Sequence, residues 1–346
     1  MPDGHDERVT PDLAALLASA QVFAVPMVDR FRGISVREGV LLHGAAGWAE
    51  FAPFRDYDDA ECVPWLLAAV ESACTPWPDR VRDEIEVNTA IPVVSADRAA
   101  GLVLASGCRT AKVKVADPRV GLAADAERVA AVRQALGPAG RIRVDANGAW
   151  TVPQAIGAIE VLSAAGGELE YVEQPCRTLA ELAEVRRCVA TPVAADESIR
   201  WAADPALVAL AGAADIAVVK VAPLGGVRAA LRIALAAGLP VVVSSAVDTS
   251  IGLAAGIALA GALPALPFAC GLGTAGLLGA DVTSVPLSPV DGFVPVRPRA
   301  PEPDRVEDVR ADAATTGYWL ARLRRVAELA GPGGPWALAG AGEPLP

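Results

Sequence analysis

Five short apolar runs in the middle of the chain each carry a charged side chain where the run stops. They read AKVKVA (111–116), RIRVDANG (141–148), LEYVEQP (169–175), PVAADES (192–198) and DIAVVKVA (215–222). The charges at their ends are Lys112 and Lys114, then Asp145, Glu173, Asp196 and Lys220. From Lys114 the steps are 31, 28, 23 and 24 residues, each about one strand plus one crossover helix. A strand covered by helices on both faces is a short apolar run, and a charge at its end is costly unless it has a partner or a task. Five such ends in succession predict one shared site at the C-terminal mouth of a parallel barrel.

The rest of the chain fills in that barrel. EIEVNTAIP (84–92) supplies the strand before the first run, VVVSS (241–245) the seventh and PFACGLG (267–273) the eighth. Between them, helical spacing recurs after Asp145 with Thr151 as N-cap and Pro153 in the first turn, after Glu173, over 204–213, 225–238 and 249–262. Eight strands and about seven helices give an α/β barrel with right-handed crossovers. Ahead of it, residues 1–18 read as a loose start. QVFAVPMV (21–28) and GVLLHGAAGWAEFAPF (39–54) read as strands separated by a polar, Gly-hinged segment, and 58–76 as a helix. This opening is an α+β unit over 1–83, distinct from a barrel over 84–279. Residues 280–330 hold a strand-like segment and a helix expected to return onto the N-terminal unit, and 331–346 have the Gly/Pro content of a mobile tail.

Asp145, Glu173 and Asp196 come from three consecutive strands. Carboxylates brought that close repel unless a cation lies among them, and an all-oxygen set with room for water and substrate suits Mg²⁺. The plainer alternative pairs each acid with a nearby arginine, Arg143, Arg177 or Arg200. Lys112 and Lys114 share a strand face, and their mutual repulsion is expected to free one of its proton, as a general base near neutral pH requires. Lys220 arrives from across the mouth. GLGTAG (271–276) has the glycine spacing of a dinucleotide loop but lacks the helix that should follow it. Gly271, Gly273 and Thr274 are better read as backbone donors for a second carboxylate of the substrate, with hydroxyls from Ser244 and Ser245.

Composition narrows the function classes. A formal charge of −11 argues against nucleic acid as a partner. Six scattered cysteines without a C-x-x-C pair argue against zinc and for a reducing, cytoplasmic setting. The N-terminus lacks the order of a signal peptide. Residues 251–270 are uncharged, but Pro264 and Pro267 and the Ala/Gly content favour a packed helix and strand over a membrane span. A monomer or small homo-oligomer is expected.

K-x-K at 112–114, DANGAW at 145–150, VEQP at 172–175, ADES at 195–198 and VVK at 218–220 resemble the enolase superfamily, more narrowly its muconate-lactonizing subgroup. RFRGISVREG (30–39) and WAEFAPFRDY (48–57) are similar to capping-domain loops of the o-succinylbenzoate synthase family. The resemblance implies a (β/α)7β modified TIM barrel, an N-terminal α+β capping domain completed by the C-terminal segment, one Mg²⁺ and a small carboxylate substrate. It implies Asp145, Glu173 and Asp196 as metal ligands, Lys114 as base and then acid, Lys220 as stabiliser and Lys112 as a tuner of Lys114. Asn147 would hold the metal-bound carboxylate or a water, and Arg32 in the capping loop would contact substrate. The implied reaction is syn-dehydration of 2-succinyl-6-hydroxy-2,4-cyclohexadiene-1-carboxylate to 2-succinylbenzoate, a step in menaquinone synthesis. The same site could instead racemise N-acylamino acids or epimerise dipeptides, or the acids could serve a non-catalytic barrel.

Overall fold

The structure, a computed structural model, describes residues 13–201 and 212–331. It opens with a short helix, α1 (Leu13–Ala18), where the sequence reading had only a loose start. The antiparallel sheet that follows runs in the order β1 (Gln21–Phe31), β2 (Ile34–Gly44), β3 (Gly47–Phe51). The segment expected to be a polar hinge is in fact the end of β1, a two-residue turn and the start of β2. Arg32 and Gly33 both have positive φ, 48° and 80°, the conformation that matches the twist of a tight hairpin. Helix α2 (Val63–Cys74), shorter than the 58–76 reading, buries Trp65 and Leu66 against this sheet.

Eight parallel strands follow, each next to its chain neighbour: β4 (Glu84–Ile91), β5 (Thr110–Lys114), β6 (Arg141–Asp145), β7 (Tyr171–Glu173), β8 (Val193–Ala195), β9 (Ile216–Val219), β10 (Val241–Val243) and β11 (Cys270–Gly273). β11 pairs with β4, and a parallel bridge between Ser244 and Gly271 joins the two ends into a nearly closed barrel. Glycine is required at that closure. A Cβ on Gly271 would lie 2.5 Å from Ser244 Oγ, and one on Gly273 would lie 2.4 Å from Asn88 O. β12 (Phe293–Pro295) adds antiparallel to β4.

The crossovers are α3 (Ala96–Ser106), α4 (Leu122–Leu136), α5 (Val152–Gly166), α6 (Leu179–Cys188), α7 (Glu197–Trp201), α8 (Val227–Ala236) and α9 (Ser250–Ala262). Thr151 and Gln154 form the capping box that starts α5, with Pro153 inside the first turn. Helix α7 starts immediately after Asp196. The helix expected over 204–213 falls largely outside the described residues, as does the 331–346 tail beyond Gly331. Residues 251–270 are the packed helix α9 and the approach to β11. Among the described residues no helix is long and apolar enough to cross a membrane.

Two glutamates of the N-terminal unit reach the starts of barrel helices. Glu50 on β3 accepts from Thr249 N (3.1 Å), Thr249 Oγ1 (2.5 Å) and Gly252 N (3.1 Å) at the head of α9. Glu71 on α2 accepts from Arg228 N at 3.2 Å, at the head of α8. Donors orphaned at a helix N-terminus and the positive end of its dipole make carboxylates natural partners there. The last helix, α10 (Ala313–Ala330), buries Trp319, Leu323 and Val326 with Phe51, Phe54 and Trp65 of the N-terminal unit. Its buried Arg322 donates to the carbonyls of Phe54 and Tyr57.

Candidate active site

Strand register gathers the predicted residues. Lys114 pairs with Asp145, and Asp145 with Glu173, in adjacent strands. Glu173 pairs with Ala194, so Asp196, two residues on, faces the same way. All three acids are buried. Lys112 Nζ donates to Glu173 Oε1 at 2.7 Å and is 3.1 Å from Asp145 Oδ2. Lys114 Nζ donates to Asp145 Oδ2 at 2.5 Å and to Asn147 Oδ1 at 2.7 Å. On the other side Lys220 Nζ donates to Asp196 Oδ2 at 2.5 Å.

Each of the three acids is thus paired with a lysine; Arg143 pairs with Glu170 at the far end of the strand, and the side chain of Arg200 lies outside the described ones. Among the described residues no three Asp, Glu, His or Cys side chains are drawn together tightly enough to form a ready-made metal cage. The carboxylates line the mouth in a row, held apart by ammonium groups. One oxygen of the row, Glu173 Oε2, is buried with no hydrogen-bond partner. Burial, then the neighbouring Asp145, push the Glu173 carboxyl up to about 7, against the pull of Lys112. For Asp145 burial acts in the same upward direction, but Lys114 and Lys112 override it and hold the group well below the carboxylate range. Lys112 corrects the expectation from lysine repulsion. Burial lowers it, yet Glu173 and Asp145 outweigh burial and hold its ammonium well above the usual lysine value. The acids, not the second lysine, set its charge. An all-oxygen row with an unsatisfied buried oxygen has the donor chemistry a hard divalent cation takes.

Over the row lies a narrow pocket that opens to solvent. Lys112, Lys114, Lys220, Asn147, Ser244, Ser245, Gly271, Thr274 and Arg32 all line it. Ser245 Oγ and Thr274 Oγ1 are 2.8 Å apart. Gly273 packs on β4 instead, so its missing side chain answers the Asn88 carbonyl and not a substrate. Only a three-residue 3₁₀ turn, Ala275–Leu277, follows GLGT, which removes the helix a dinucleotide loop needs. Asn147 accepts from Lys114 and donates from Nδ2 to Glu197 Oε1 at 3.1 Å. Arg32 comes from the hairpin tip, its guanidinium 3.8 Å from the centre of the Phe54 ring and 3.0 Å from Tyr57 Oη.

Sequence reasoning missed Phe31, Phe54, Asn88, Glu197 and Val247, which also line the pocket. Asn88 was findable as a buried-strand amide beside Thr89 in β4, and Glu197 as the neighbour of Asp196. Phe31 and Val247 carry no local signal.

A barrel closed over a row of acids and lysines, with a sheet-and-helix cap above its mouth, defines an enzyme of the enolase superfamily, and the chain belongs to it. Residues 95–301 match the enolase C-terminal domain-like family and residues 22–73 the enolase N-terminal domain-like family. The fold is shared with muconate lactonizing enzyme from Pseudomonas fluorescens (TM-score 0.72, 22% identity, 85% of this chain and 98% of that one). It is also shared with a dipeptide epimerase from Enterococcus faecalis solved with Mg and a dipeptide (TM-score 0.67, 22% identity, 81% and 96%). Curated relatives are nearer in sequence. The o-succinylbenzoate synthase of Thermobifida fusca is 57% identical over 88% of this chain and 95% of its own length, and that of Mycobacterium tuberculosis 52% identical over 91% and 96%. Within the superfamily, the chain's place is in the o-succinylbenzoate synthase family.

Proposed function

We propose that the protein catalyses the Mg²⁺-dependent syn-dehydration of 2-succinyl-6-hydroxy-2,4-cyclohexadiene-1-carboxylate to 2-succinylbenzoate, in the cytoplasm and as a step of menaquinone synthesis. One observation carries the reading: lysines from β5 and from the end of β9 grip the same row of buried carboxylates from opposite sides, at 2.5 Å each. Asp145, Glu173 and Asp196 would hold the metal. Bound there, Mg²⁺ would offset the negative charge that grows on the substrate carboxylate as the neighbouring C–H bond breaks.

The other tasks fall to the chain itself. Lys114 Nζ takes the α-proton and returns a proton to the departing hydroxyl on the same face, so that water leaves and the ring becomes aromatic. Lys220 faces the opposite side of the ring, where its ammonium stabilises the electron-rich intermediate. Lys112, bound to Asp145 and Glu173, keeps a fixed positive charge beside Lys114. Asn147 accepts from the Lys114 amine and aims it. Arg32, Ser245 and Thr274 are donors for the succinyl carboxylate at the pocket wall.

Lysines on both sides also suit racemisation, in which each removes or delivers a proton on its own face. The identity to named synthases over most of the chain favours dehydration. The deciding experiment incubates the protein and Mg²⁺ with the cyclohexadiene carboxylate and, separately, with N-acylamino acids and dipeptides. The absorbance of 2-succinylbenzoate and the optical rotation are followed. Racemisation or epimerisation faster than dehydration would overturn the assignment.

A further inference from the structure

Among the described residues six non-glycine residues have φ in the left-handed region, and five of them ring the mouth: Arg32, Ala116, Asn147, Gln174 and Val247. Four have local reasons. Arg32 belongs to the hairpin turn. Ala116 is small and donates its N–H to Asp125 Oδ2 at 2.9 Å. Asn147 tolerates the region and is bonded through its side chain to Lys114 and Glu197. Gln174 is anchored through its amide to Ser198 Oγ at 2.7 Å and accepts from Asp196 N at 3.0 Å.

Val247 has only a long local bond, its N–H donated to Ser245 Oγ at 3.4 Å. A β-branched residue at φ 64° is the least tolerant type in this region, and an apolar side chain cannot hydrogen-bond its way into it. Its backbone is held from outside. Arg37, buried in the cap, donates from Nε to Val247 O at 2.9 Å and from Nη2 to Ala52 O. On either side Asp248 Oδ2 accepts from Ala246 N at 3.0 Å, and Asp248 lies 3.8 Å from the Arg37 guanidinium. The held residue is buried and lines the pocket with Phe31 and Phe54. The Phe54 ring in turn carries the guanidinium of Arg37 at 4.7 Å and that of Arg32 at 3.8 Å. An unfavourable backbone conformation maintained by a buried arginine of another unit, at a pocket wall, points to function.

We propose that Val247 is a specificity-determining residue that packs against the apolar ring of the carboxylate substrate, and that Arg37 is the positioning residue that sets it. Arg37 makes the wall of the barrel pocket depend on the docking of the cap, because the same guanidinium touches Ala52, Phe54 and the Val247 carbonyl. The choice of an unsaturated ring as the group recognised rests on the dehydration reading above. The wall and its clamp do not.

The test compares Val247→Gly, Val247→Ala and Arg37→Met with wild type and with Val243→Gly, an equally buried valine of ordinary strand conformation. Val247→Gly should lose less in melting temperature than Val243→Gly, since glycine suits the left-handed angle. It should raise KM for the cyclohexadiene carboxylate about tenfold or more while kcat changes by less than about threefold. Val247→Ala, the milder change, should move KM in the same direction. Arg37→Met should reproduce the KM rise, and the Arg37→Met/Val247→Gly double variant should add little to it. Unchanged KM in Val247→Ala would overturn the specificity role, and fully additive losses in the double variant would overturn the Arg37 link. If wild type does not dehydrate this substrate, the functional reading fails on its own. The variants are then read on whichever acylamino acid or dipeptide wild type converts, and the melting comparison needs no substrate.

Discussion

Buried carboxylates occur in two places in this molecule, and they are satisfied in different ways. At the barrel mouth Asp145, Glu173 and Asp196 are held by lysine ammonium groups on flexible stems. At the seam between cap and barrel, Glu50 is held by two backbone N–H groups and the Thr249 hydroxyl at the head of α9, and Glu71 by the backbone N–H and the guanidinium of Arg228 at the head of α8. A backbone donor is fixed once its helix forms and serves architecture. An ammonium can give up its proton, move or yield its place to a cation, and serves chemistry. The contrast separates acids that keep the cap in place from acids that work, although both sets are buried.

That contrast can be broken at several points. Lys114→Ala should lower kcat by about 10²–10⁴, the usual worth of a general base, while the variant still melts cooperatively. An equally large loss from Glu71→Gln would erase the distinction. Next, Mg²⁺ at about a hundred times its Kd should stabilise the protein by about 2.7 kcal/mol, and chelation should reverse this. Asp145→Asn or Glu173→Gln should abolish the rise in melting temperature, whereas Glu50→Gln should leave it. A rise that survives the first two variants would place the metal elsewhere.

The third test uses pH. Burial, then Asp248, push the Glu50 carboxyl from 4.5 up to about 8, against the pull of Arg37. Its Oε2 takes all three donors and Oε1 has none. Between those two values the folded protein keeps a proton that the unfolded chain has released. The stability contribution is therefore complete below pH 4.5 and is lost as pH rises toward 8, by about 1.4 kcal/mol per pH unit. The difference in stability between wild type and Glu50→Gln, followed by chemical denaturation across this range, should carry this slope, because the raised Glu173 carboxyl acts in both proteins. The smallest effect belongs to Glu71→Gln, about 0.3–1 kcal/mol from a helix-terminus charge, with kcat unchanged.

Much of this was legible in the sequence because a parallel barrel writes itself as punctuation. Lys114, Asp145, Glu173, Asp196 and Lys220 stood out as charges ending apolar runs, and strand register then aligned the first three. What escaped depends on partners distant in the chain. Val247 is defined by Arg37, 210 residues away, and no local pattern reports such a contact. The hairpin at 30–39 was misread because Arg37 and Glu38 look like loop residues until Val247, Arg55 and Trp319 are beside them. Gly273 was read as a ligand-facing glycine, when the crowding it answers comes from β4. The pairing of Lys112 with two acids likewise reversed an argument that considered only its lysine neighbour.

Arg322 of α10 ties down Phe54 and Tyr57, and Trp319 Nε1 donates to Glu38 Oε2, so the cap leans on a helix that follows the whole barrel in the chain. During synthesis the barrel strands and their charged mouth are complete some forty residues before that helix emerges. Until it does, the loop bearing Phe54 lacks two of its anchors, and the mouth has a lid that has not yet been fastened. Assembly of the working site therefore waits for α10, even though every residue in the row of acids and lysines precedes it in the chain.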